Sequence, residues 1–487
     1  MAAADYIYAA GAGRRTDVSV ANTSLHGGAA RVTLWFYANT GSATRLKVEA
    51  VQATTVLASS IVAQSSGFGW RSVSSPMLQG LNEIGLQDLR LRFTTLDGGN
   101  SNVRAAYVQA VFDPCAPEYG KFGPGQWPSA CWRPYGTTSP FNRKLPSNPR
   151  LIHGSQAASA AIVGRVIGDI SQRDHPNNLA SHPRGIFGEP TYYPDAGDPM
   201  YTLRCDPPPG WGPCSIEGHQ VRIPAAAAPE GGWGAAPADD RHMAIIDQTS
   251  GWEYNLWQVR GTGPLPPNGG TLTFTFGGRS RIVGDCAGLA ADGTNCETTT
   301  PGHGTAAHFA GLAGRVRAEE LQAGRIDHAL NITINCDSGQ AVYPARHAGR
   351  SCSEIPLSNL DAPPMGALFQ LGMSVAEIDA LDPQKVKPWH KVFLRAMAEY
   401  GMYLGDTGSE GLFSIETEAG NQYLTVGHAD PWRTYGQANW EPWTHDGITE
   451  YVGKFFAPRD PDPDLWWKNN IWSHLRVLDP CVAAMTC

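Results

Sequence analysis

Three consecutive stretches decide the class of fold: His242-Met-Ala-Ile-Ile-Asp247, Gln248-Thr-Ser-Gly251 and Trp252-Glu-Tyr-Asn-Leu-Trp-Gln-Val259. The first and third are rich in β-branched and aromatic residues, whereas the second has the small and polar residues of a turn. Together they predict a β-hairpin. Strand-like runs also cover residues 271–276, 327–334 and 367–371, so we expect this part of the chain to be mostly β.

One segment has the spacing of a helix instead. Between Pro388 and Tyr400 the apolar residues recur at helical intervals, at Trp389, Val392, Phe393, Ala396, Met397 and Tyr400. Pro388 suits the first turn of this helix, and Gly401 suits its C-terminal cap. A short helix is predicted over residues 316–322, ending at Gly324. We therefore expect a jelly-roll-like β-sandwich domain with loop-borne helices over residues 150–487.

The N-terminal part has its own alternation of strands and turns. Its strand-like runs are separated by Gly, Asn and Ser and cover residues 30–37, 44–51, 89–95 and 103–112. A unit of this size and spacing is typical of a β-sandwich, and we expect residues 1–113 to fold alone as an accessory domain. Residues 114–149 are rich in Pro and Gly and are predicted to be a linker that wraps onto the β-rich catalytic domain, residues 150–487.

Composition limits the classes of function. The chain has 487 residues, more than one ordinary domain, and a hydrophobic fraction of 42% is enough for real cores. The net charge is −8 and basic stretches are absent, so a nucleic-acid partner is not expected. No apolar run is long enough to span a membrane. The 15 Trp residues suit stacking on sugar rings, although core packing is the commoner role for any single Trp.

Cysteine spacing predicts the compartment. The ten cysteines fall in five close pairs: Cys115 and Cys131, Cys205 and Cys214, Cys286 and Cys296, Cys336 and Cys352, Cys481 and Cys487. The absence of a CxxC motif argues against zinc knuckles and thioredoxin-like chemistry. We expect at least four disulfides and an extracellular location. Residues 1–11 lack the pattern of a signal peptide, so we expect that a signal peptide has been removed.

The second strand of the hairpin carries a candidate substrate surface. Alternate residues of a strand share a face, so Glu253, Asn255 and Trp257 lie together. They supply the carboxylate, amide and stacking ring of a carbohydrate contact row; the alternative is a solvated face with one packed Trp. Tyr254, on the opposite face, is a further candidate for substrate binding.

Acids and histidines at predicted strand ends are the candidate catalytic residues: Glu253, Asp406, His328, His242 and Asp240. A glycoside hydrolase needs two carboxylates that flank the bond it breaks. Glu253 and Asp406 are the predicted pair, with Asp240 and Asp247 as alternatives. His328 suits a general acid or base because the ordinary pKa of His lies near neutrality, and it equally suits a hydrogen-bonded core group.

Two further hypotheses stand beside the hydrolase. In a polysaccharide lyase, Asn255 or His242 would neutralise a uronate, and His328 or a Tyr would remove the C5 proton. In both enzymatic hypotheses the substrate is a polysaccharide. The third hypothesis is a non-catalytic glycan-binding or surface-structure protein.

No cofactor is predicted, and no metal ligand is assigned. His303 and His308 flank a Gly-Thr-Ala-Ala turn, but their spacing is too loose to define a metal set with His328. The three aspartates within residues 460–464 are a candidate structural calcium site, although their spacing is not that of an EF-hand.

A series of motifs resembles a group of secreted bacterial proteins, mostly of hypothetical description. The motifs cover residues 150–430 in the order Asp240-x-His242, Tyr254-x-Leu256-Trp257, Asp327-His-Ala-Leu330, Pro363-Pro-Met-Gly366 and Tyr400-Gly-Met-x-Leu-x-Asp406. This chain has Asn255 where the group has Glu, and Asp406-Thr-Gly408 where the group has Asp-Asn-Gly. The resemblance implies no particular activity. The N-terminal unit resembles the β-sandwich carbohydrate-binding modules that accompany polysaccharide-active enzymes.

These observations combine in one hypothesis about the site. Strands that are distant in sequence lie side by side in a sandwich. We therefore expect the hairpin of residues 240–257, the strand start at 327–330 and the turn at 405–408 to converge on one cleft. The alternative is that their polar groups serve separate turns and surfaces.

Overall fold

Two units make up the chain in the computed structural model, Met1–Glu118 and Tyr119–Cys487. Of the first unit, the structure describes residues 7–10, 15–19, 29–39, 45–52, 55–62, 69–74, 78–79, 89–97 and 100–112. Of the second, it describes residues 119–487 apart from 131, 137–138, 172–177, 181–187, 210–213, 238, 283–304, 356–357, 409–413, 446–447, 455–465 and 468.

Two antiparallel sheets lie in the described part of the first unit. Its strands are β1 (Ile7–Ala10), β2 (Arg15–Ser19), β3 (Ala29–Asn39), β4 (Leu46–Gln52), β5 (Thr55–Val62), β6 (Gly69–Ser74), β7 (Leu78–Gln79), β8 (Leu89–Thr95) and β9 (Asn100–Phe112). One sheet has the order β1-β9-β3-β6 with β7 on β3, and the other has the order β2-β8-β4-β5. Alternate residues of β4 and β8 are buried, among them Leu46, Val48, Leu91 and Phe93. The predicted β-sandwich is confirmed.

Three sheets lie in the described part of the second unit. Its strands are β10 (Asn178–Ala180), β11 (Thr191–Tyr192), β12 (Met200–Cys205), β13 (Gln220–Arg222), β14 (Met243–Asp247), β15 (Trp252–Val259), β16 (Gly270–Arg281), β17 (Leu330–Ile334), β18 (Leu368–Leu371), β19 (Met402–Thr407), β20 (Ser414–Ile415), β21 (Glu441–His445), β22 (Ile448–Lys454) and β23 (Leu475–Val477). The sheet orders are β11-β14-β15-β16-β12-β13, β20-β17-β19-β18-β23 and β10-β22-β21. The mostly β class is therefore confirmed.

Strand directions in the two larger sheets are mixed. The predicted hairpin is present, since β14 and β15 are antiparallel with Asp247 opposite Trp252. However, β11 runs parallel to β14, β12 to β16, and β17 to β19. Parallel neighbours need long crossover connections, which the sequence pattern does not reveal. The parallel direction of β17 and β19 determines which of their residues lie side by side at the site.

Helices of the described residues lie between the strands, apart from the last one, which follows β23. They are α1 (Gln156–Ser171), α2 (Ala318–Ala323), α3 (Val375–Asp379), α4 (Pro388–Glu399), α5 (Asn421–Leu424), α6 (Pro431–Asn439) and α7 (Pro480–Ala484). Single 3-10 turns lie at Ile152–Gly154, Cys352–Glu354 and Trp472–His474. The prediction for α4 is confirmed, because Pro388 occupies its first turn and Gly401 follows its end with a φ of 84°. Phe393 and Met397 of α4 are fully buried in the main core of this unit.

Much of the predicted linker is built into the second unit. Phe122, Trp132 and Phe141 are buried in the main core, which also contains the apolar residues of β17, β19 and α4. Arg317 donates hydrogen bonds to the backbone carbonyls of Ser129 and Trp132, over 3.1 and 2.6 Å. We call residues 119–145 the strap. Its apolar side chains supply part of the core, so it is a structural element of this unit.

Disulfides join three of the predicted pairs, Cys205–Cys214, Cys336–Cys352 and Cys481–Cys487. The other four cysteines, at positions 115, 131, 286 and 296, lie outside the described residues. Disulfides of this kind fit an extracellular protein. Across the part of the chain that the structure describes, no helix combines the length and the apolar character needed to cross a membrane.

Candidate active site

Strand β17 has one polar and one apolar face. Leu330, Ile332 and Ile334 point into the main core, whereas Asn331 and Thr333 alternate with them on the other face. All five residues are buried, so the polar face is covered as well. Asn331 has neither its Nδ2 nor its Oδ1 paired among the described residues. A polar face of this kind needs polar neighbours, and the adjacent strands supply them.

Strand β19 brings Asp406 beside Thr333. The pairing of β17 with β19 shifts by one residue between Ile332 and Thr333, so that Gly405 is bulged and Asp406 becomes the partner of Thr333. A Cβ at position 405 would collide with the amide of Asn331, which explains why a glycine stands there. The bulge therefore aims Asp406 across the polar face of β17.

Asp406 has the electrostatics of a proton donor. It is half-buried and accepts a hydrogen bond of 2.6 Å from the backbone N–H of Thr407 and another from the N–H of Ala306. Burial raises the pKa of Asp406 to about 8, and the negative charges of Glu416 and Asp240 act in the same direction. A carboxyl group that keeps its proton near neutral pH suits a general acid.

Glu416 is the second carboxylate on this face. It follows β20, is half-buried, and accepts a hydrogen bond of 2.6 Å from the Thr333 hydroxyl. Its backbone N–H donates to the carbonyl of Asn331 over 2.9 Å. Because Thr333 also pairs with Asp406, the two carboxylates lie on either side of β17. Sequence analysis missed Glu416; the alternation of Asn331 and Thr333 with apolar residues was the signal that marked this face.

Asp240 and His242 reach the same cluster from the six-stranded sheet. The Trp257 indole N–H donates to Asp240 Oδ1 over 3.0 Å, and the N–H of Gln258 donates to the Asp240 carbonyl over 2.8 Å. Burial lowers the pKa of His242, whereas the charges of Asp240 and Glu416 oppose this shift. Asp240 is exposed, and His242 and Trp257 are half-buried, so these groups face solvent at least in part.

A buried ion pair lies behind His242. Glu189 forms a salt bridge with Arg315, and both side chains are almost fully buried. The other oxygen of Glu189, Oε1, lies 3.8 Å from His242 Nδ1. Arg315 is thereby neutralised inside the fold and is not available to bind an anion at the surface.

Two histidines flank the cluster on the side of β18. The rings of His308 and His347 stack with a centroid separation of 5.1 Å and an interplanar angle of 12°. The backbone links them to β19, because the N–H of Ala307 donates to the Gly405 carbonyl and the N–H of Arg346 donates to the Ala307 carbonyl. Burial, followed by the charge of His347, lowers the pKa of His308 to about 4.

Unusual backbone conformations lie beside these side chains. Arg241 has a φ of 45°, Gln258 has 50° and His308 has 61°. Non-glycine residues rarely adopt such angles, and they occur often at functional sites. Each of the three adjoins or belongs to the cluster just described.

Glu253 and Asn255 do not lie in this cluster. Both are fully buried, so they form neither the exposed contact row nor the solvated face that the strand pattern predicts. Glu253 accepts hydrogen bonds from the Tyr135 hydroxyl over 2.7 Å and from the Leu312 N–H over 2.8 Å. Asn255 packs against Gly311. Their face is covered by the strap and by the loop that contains Gly311.

The structure does not bring His328 to the cluster either. Its ring lies against the Ala329 carbonyl and Glu320, with Nε2 3.1 Å from Glu320 Oε1. Because β17 and β19 are parallel, His328 lies roughly 15 Å from the level of Asp406, at the opposite end of the strands. It has the contacts of a hydrogen-bonded core group.

Two other candidates have structural contacts. Tyr254 is buried among apolar residues on the opposite face of β15, in a cluster with Leu256. Asp247 accepts hydrogen bonds from the N–H groups of Thr249 and Ser250 and so caps the hairpin turn. Neither side chain lies in the cluster around Asp406.

Metal ligands are not grouped in the described part of the chain. No three or more His, Cys, Asp or Glu side chains there are arranged to hold a metal ion. His303 and the three aspartates of residues 460–464 lie outside the described residues.

Comparisons with known proteins give limited likenesses. No protein-family model matches the chain, and no curated protein matches it. CsCBM6-3 from Clostridium stercorarium, solved in complex with cellobiose, is 21% identical over 21% of this chain and 72% of its own, with a TM-score of 0.15. The enzymatically active domain of tailspike protein 4 from bacteriophage CBA120 is 9% identical over 22% of this chain and 20% of its own, also with a TM-score of 0.15. Neither likeness carries an argument about function.

Proposed function

We propose that the protein is a secreted, polysaccharide-degrading glycoside hydrolase in which Asp406 is the general acid and Glu416 is the second carboxylate. The observation that carries the proposal is the pair itself, one acid on each side of Thr333. The backbones that carry the two acids are two strand spacings apart, roughly 10 Å, and Glu416 reaches back to the Thr333 hydroxyl over 2.6 Å. We therefore expect the two carboxyl groups to lie within the roughly 5–9.5 Å that glycosidases use. The disulfides support secretion.

The two acids differ in environment, as such a reaction requires. Asp406 is held against backbone N–H groups next to two other acids, and its raised pKa keeps it protonated at neutral pH. Glu416 receives a hydrogen bond from the Thr333 hydroxyl, which fixes the orientation of its carboxyl group. Asp406 therefore donates a proton to the leaving oxygen, while Glu416 attacks the sugar or activates water.

Trp257 and His242 provide the substrate contacts nearest to the acid pair. The hydrogen bond to Asp240 orients the Trp257 ring, which is half-buried and suits stacking on a sugar. His242 is shifted toward its neutral form, so it can both donate and accept hydrogen bonds with hydroxyl groups. In this proposal Glu253 is replaced by Glu416 as the partner of Asp406.

The charge of the site favours the hydrolase over the lyase. A lyase must neutralise a uronate, yet the site already holds the negative charges of Asp240 and Glu416, which act on Asp406. Buried Arg315, near Glu416, is already paired with Glu189. An anionic sugar would be repelled here, whereas a neutral one would not.

Substitution of each acid tests the proposal. The wild type is screened on soluble xylan, arabinan, galactomannan and mixed-linkage glucan by release of reducing ends, and on polygalacturonate by ultraviolet absorbance of unsaturated products. Asp406→Asn and Glu416→Gln should each lower kcat at least about 100-fold without lowering Tm. Asp247→Asn, in the hairpin turn, is the matched control and should keep wild-type kcat.

Three results would contradict the proposal. Full activity of Asp406→Asn would remove the proposed acid from the mechanism. Unsaturated products from polygalacturonate would establish the lyase instead. Binding to a polysaccharide without any release of reducing ends would indicate a non-catalytic glycan-binding protein.

A further inference from the structure

Hydrogen bonds, strand pairing and ring contacts place the polar groups of the site in a spatial series. At one end, the Trp257 indole is hydrogen-bonded to Asp240. His242 Nδ1 lies 3.8 Å from Glu189 Oε1, and Glu189 pairs in a parallel β-bridge with Glu418, two residues beyond Glu416. Glu416 is bonded to Thr333, and Thr333 pairs with Asp406.

The series continues beyond Asp406 on the far side. The N–H of Ala306 donates to the Asp406 carboxylate, and the N–H of Ala307 donates to the Gly405 carbonyl. His308 is the next residue in the chain, and its ring stacks on that of His347. In the sheet order β20-β17-β19-β18, Glu416 follows β20 and Asp406 is on β19. His242 and the neighbouring Asp240 thus lie on the Glu416 side of the pair, through Glu189 and Glu418, whereas the histidines are linked to β19 on the Asp406 side.

Flat rings with exposed surface therefore lie at both ends of the series. Trp257 and His308 are half-buried, and His347 is exposed. Burial keeps His308 uncharged at neutral pH, so its ring presents a neutral surface. A neutral flat ring suits stacking and hydrogen bonding with a neutral sugar.

We propose that a glycan chain lies across the acid pair, with sugar units bound at Trp257 on one side and at His308 and His347 on the other, so that internal bonds are cleaved. The inference rests on the proposed function and adds its mode of action. An enzyme that removes single sugars from a chain end needs contacts on one side of the bond, in a pocket that is blocked at its end. Here contact groups lie on both sides of the acid pair. Binding energy from the sugar units on both sides can therefore stabilise the transition state for cleavage of the bond between them.

Affinity electrophoresis tests the binding part without requiring turnover. Wild type, Trp257→Ala and His347→Ala are run in gels that contain xylan, arabinan, galactomannan or mixed-linkage glucan. Retardation by at least one polysaccharide should weaken about fivefold in each variant. His347→Phe, which keeps a flat ring, should retain most of the retardation. His474→Ala, at an exposed histidine elsewhere in the unit, is the matched control and should behave as wild type.

Viscometry tests the cleavage part on the polysaccharide that is turned over. Viscosity should fall early, before many reducing ends appear. The fall in viscosity per reducing end released should differ between His347→Ala and the wild type. Release of reducing ends at constant viscosity would overturn internal cleavage while leaving the hydrolase intact. Retardation that needs both rings, with no turnover, would overturn the hydrolase but support the two-sided cleft. Retardation that survives His347→Ala, or no retardation by any of the four polysaccharides, would overturn the two-sided cleft.

Discussion

Burial raises the pKa of Glu253 to about 7, so this carboxyl group is protonated in about half of the molecules at neutral pH. It is enclosed by the Tyr135 hydroxyl and the Leu312 N–H, with no exposed surface. In the unfolded chain the same group ionises near its ordinary value of 4.5. Ionisation is therefore harder in the folded state, and the stabilising contribution of the protonated form is lost as the pH rises.

We expect the sign of this effect to be measurable. The contribution of protonated Glu253 to the free energy of unfolding is fully present below about pH 4.5 and is lost as the pH rises through about 7. The loss amounts to about 3 kcal/mol. Asp406, whose pKa is also raised, acts in the same direction. The wild-type Tm should fall between pH 5 and pH 8, and Glu253→Gln should reduce that fall because Gln does not ionise. Tm values measured by circular dichroism across this range check the prediction.

The exposed carboxylate of Asp382 offers a control for this experiment. Asp382→Asn should keep the wild-type dependence of Tm on pH. An unchanged pH dependence in Glu253→Gln would contradict the raised pKa of Glu253.

At the scale of elements, the bulge in β19 is what converts two strands into a candidate site. Without the shift at Gly405, Asp406 would not pair with Thr333, and its side chain would turn toward the other face of the sheet. Gly405 is required because the amide of Asn331 occupies the space of a Cβ.

Gly405→Ala should therefore destabilise the protein by about 1–3 kcal/mol and lower kcat, because the strand must move and carry Asp406 with it. Gly164→Ala in α1 is the matched control. A Cβ at position 164 meets no atom within 4 Å, so this variant should be neutral or more stable by about 0.5–1 kcal/mol. Urea unfolding of both variants measures the difference. Equal stability of Gly405→Ala and wild type would show that the close contact with Asn331 is absent.

At the scale of the whole molecule, the strap sets the working boundary of the second unit. A chain that begins at residue 150 lacks buried Phe122, Trp132 and Phe141 and the hydrogen bond from Tyr135 to Glu253. Loss of these side chains opens the main core and leaves the Glu253 carboxyl with one partner fewer.

We expect residues 119–487 to fold and residues 150–487 to aggregate or to lose near-ultraviolet circular dichroism. The first fragment should carry Cys131→Ser, because its predicted partner Cys115 is removed. Residues 1–118 should fold alone, since two antiparallel sheets share this segment. A soluble, cooperatively unfolding fragment 150–487 would show that the strap is dispensable.

Local patterns in the sequence were enough to predict the elements themselves. The hairpin of β14 and β15 follows from alternation around a turn, and α4 follows from helical spacing between Pro388 and Gly401. The three observed disulfides join neighbours in the chain. In each case the residues that interact lie close together in sequence, so propensity and period suffice.

Long-range pairing decided the candidate site. Alternation correctly placed Glu253 and Asn255 on one face of β15, but only the packing of the strap and the Gly311 loop shows that this face is interior. Likewise, the parallel pairing of β17 with β19 separates His328 from Asp406, while β20 brings Glu416 to Thr333. The sequence by itself determined which residues are polar and which face of a strand they share. The tertiary structure decided which faces are covered and which strands are neighbours, because those contacts join segments that are far apart in the chain.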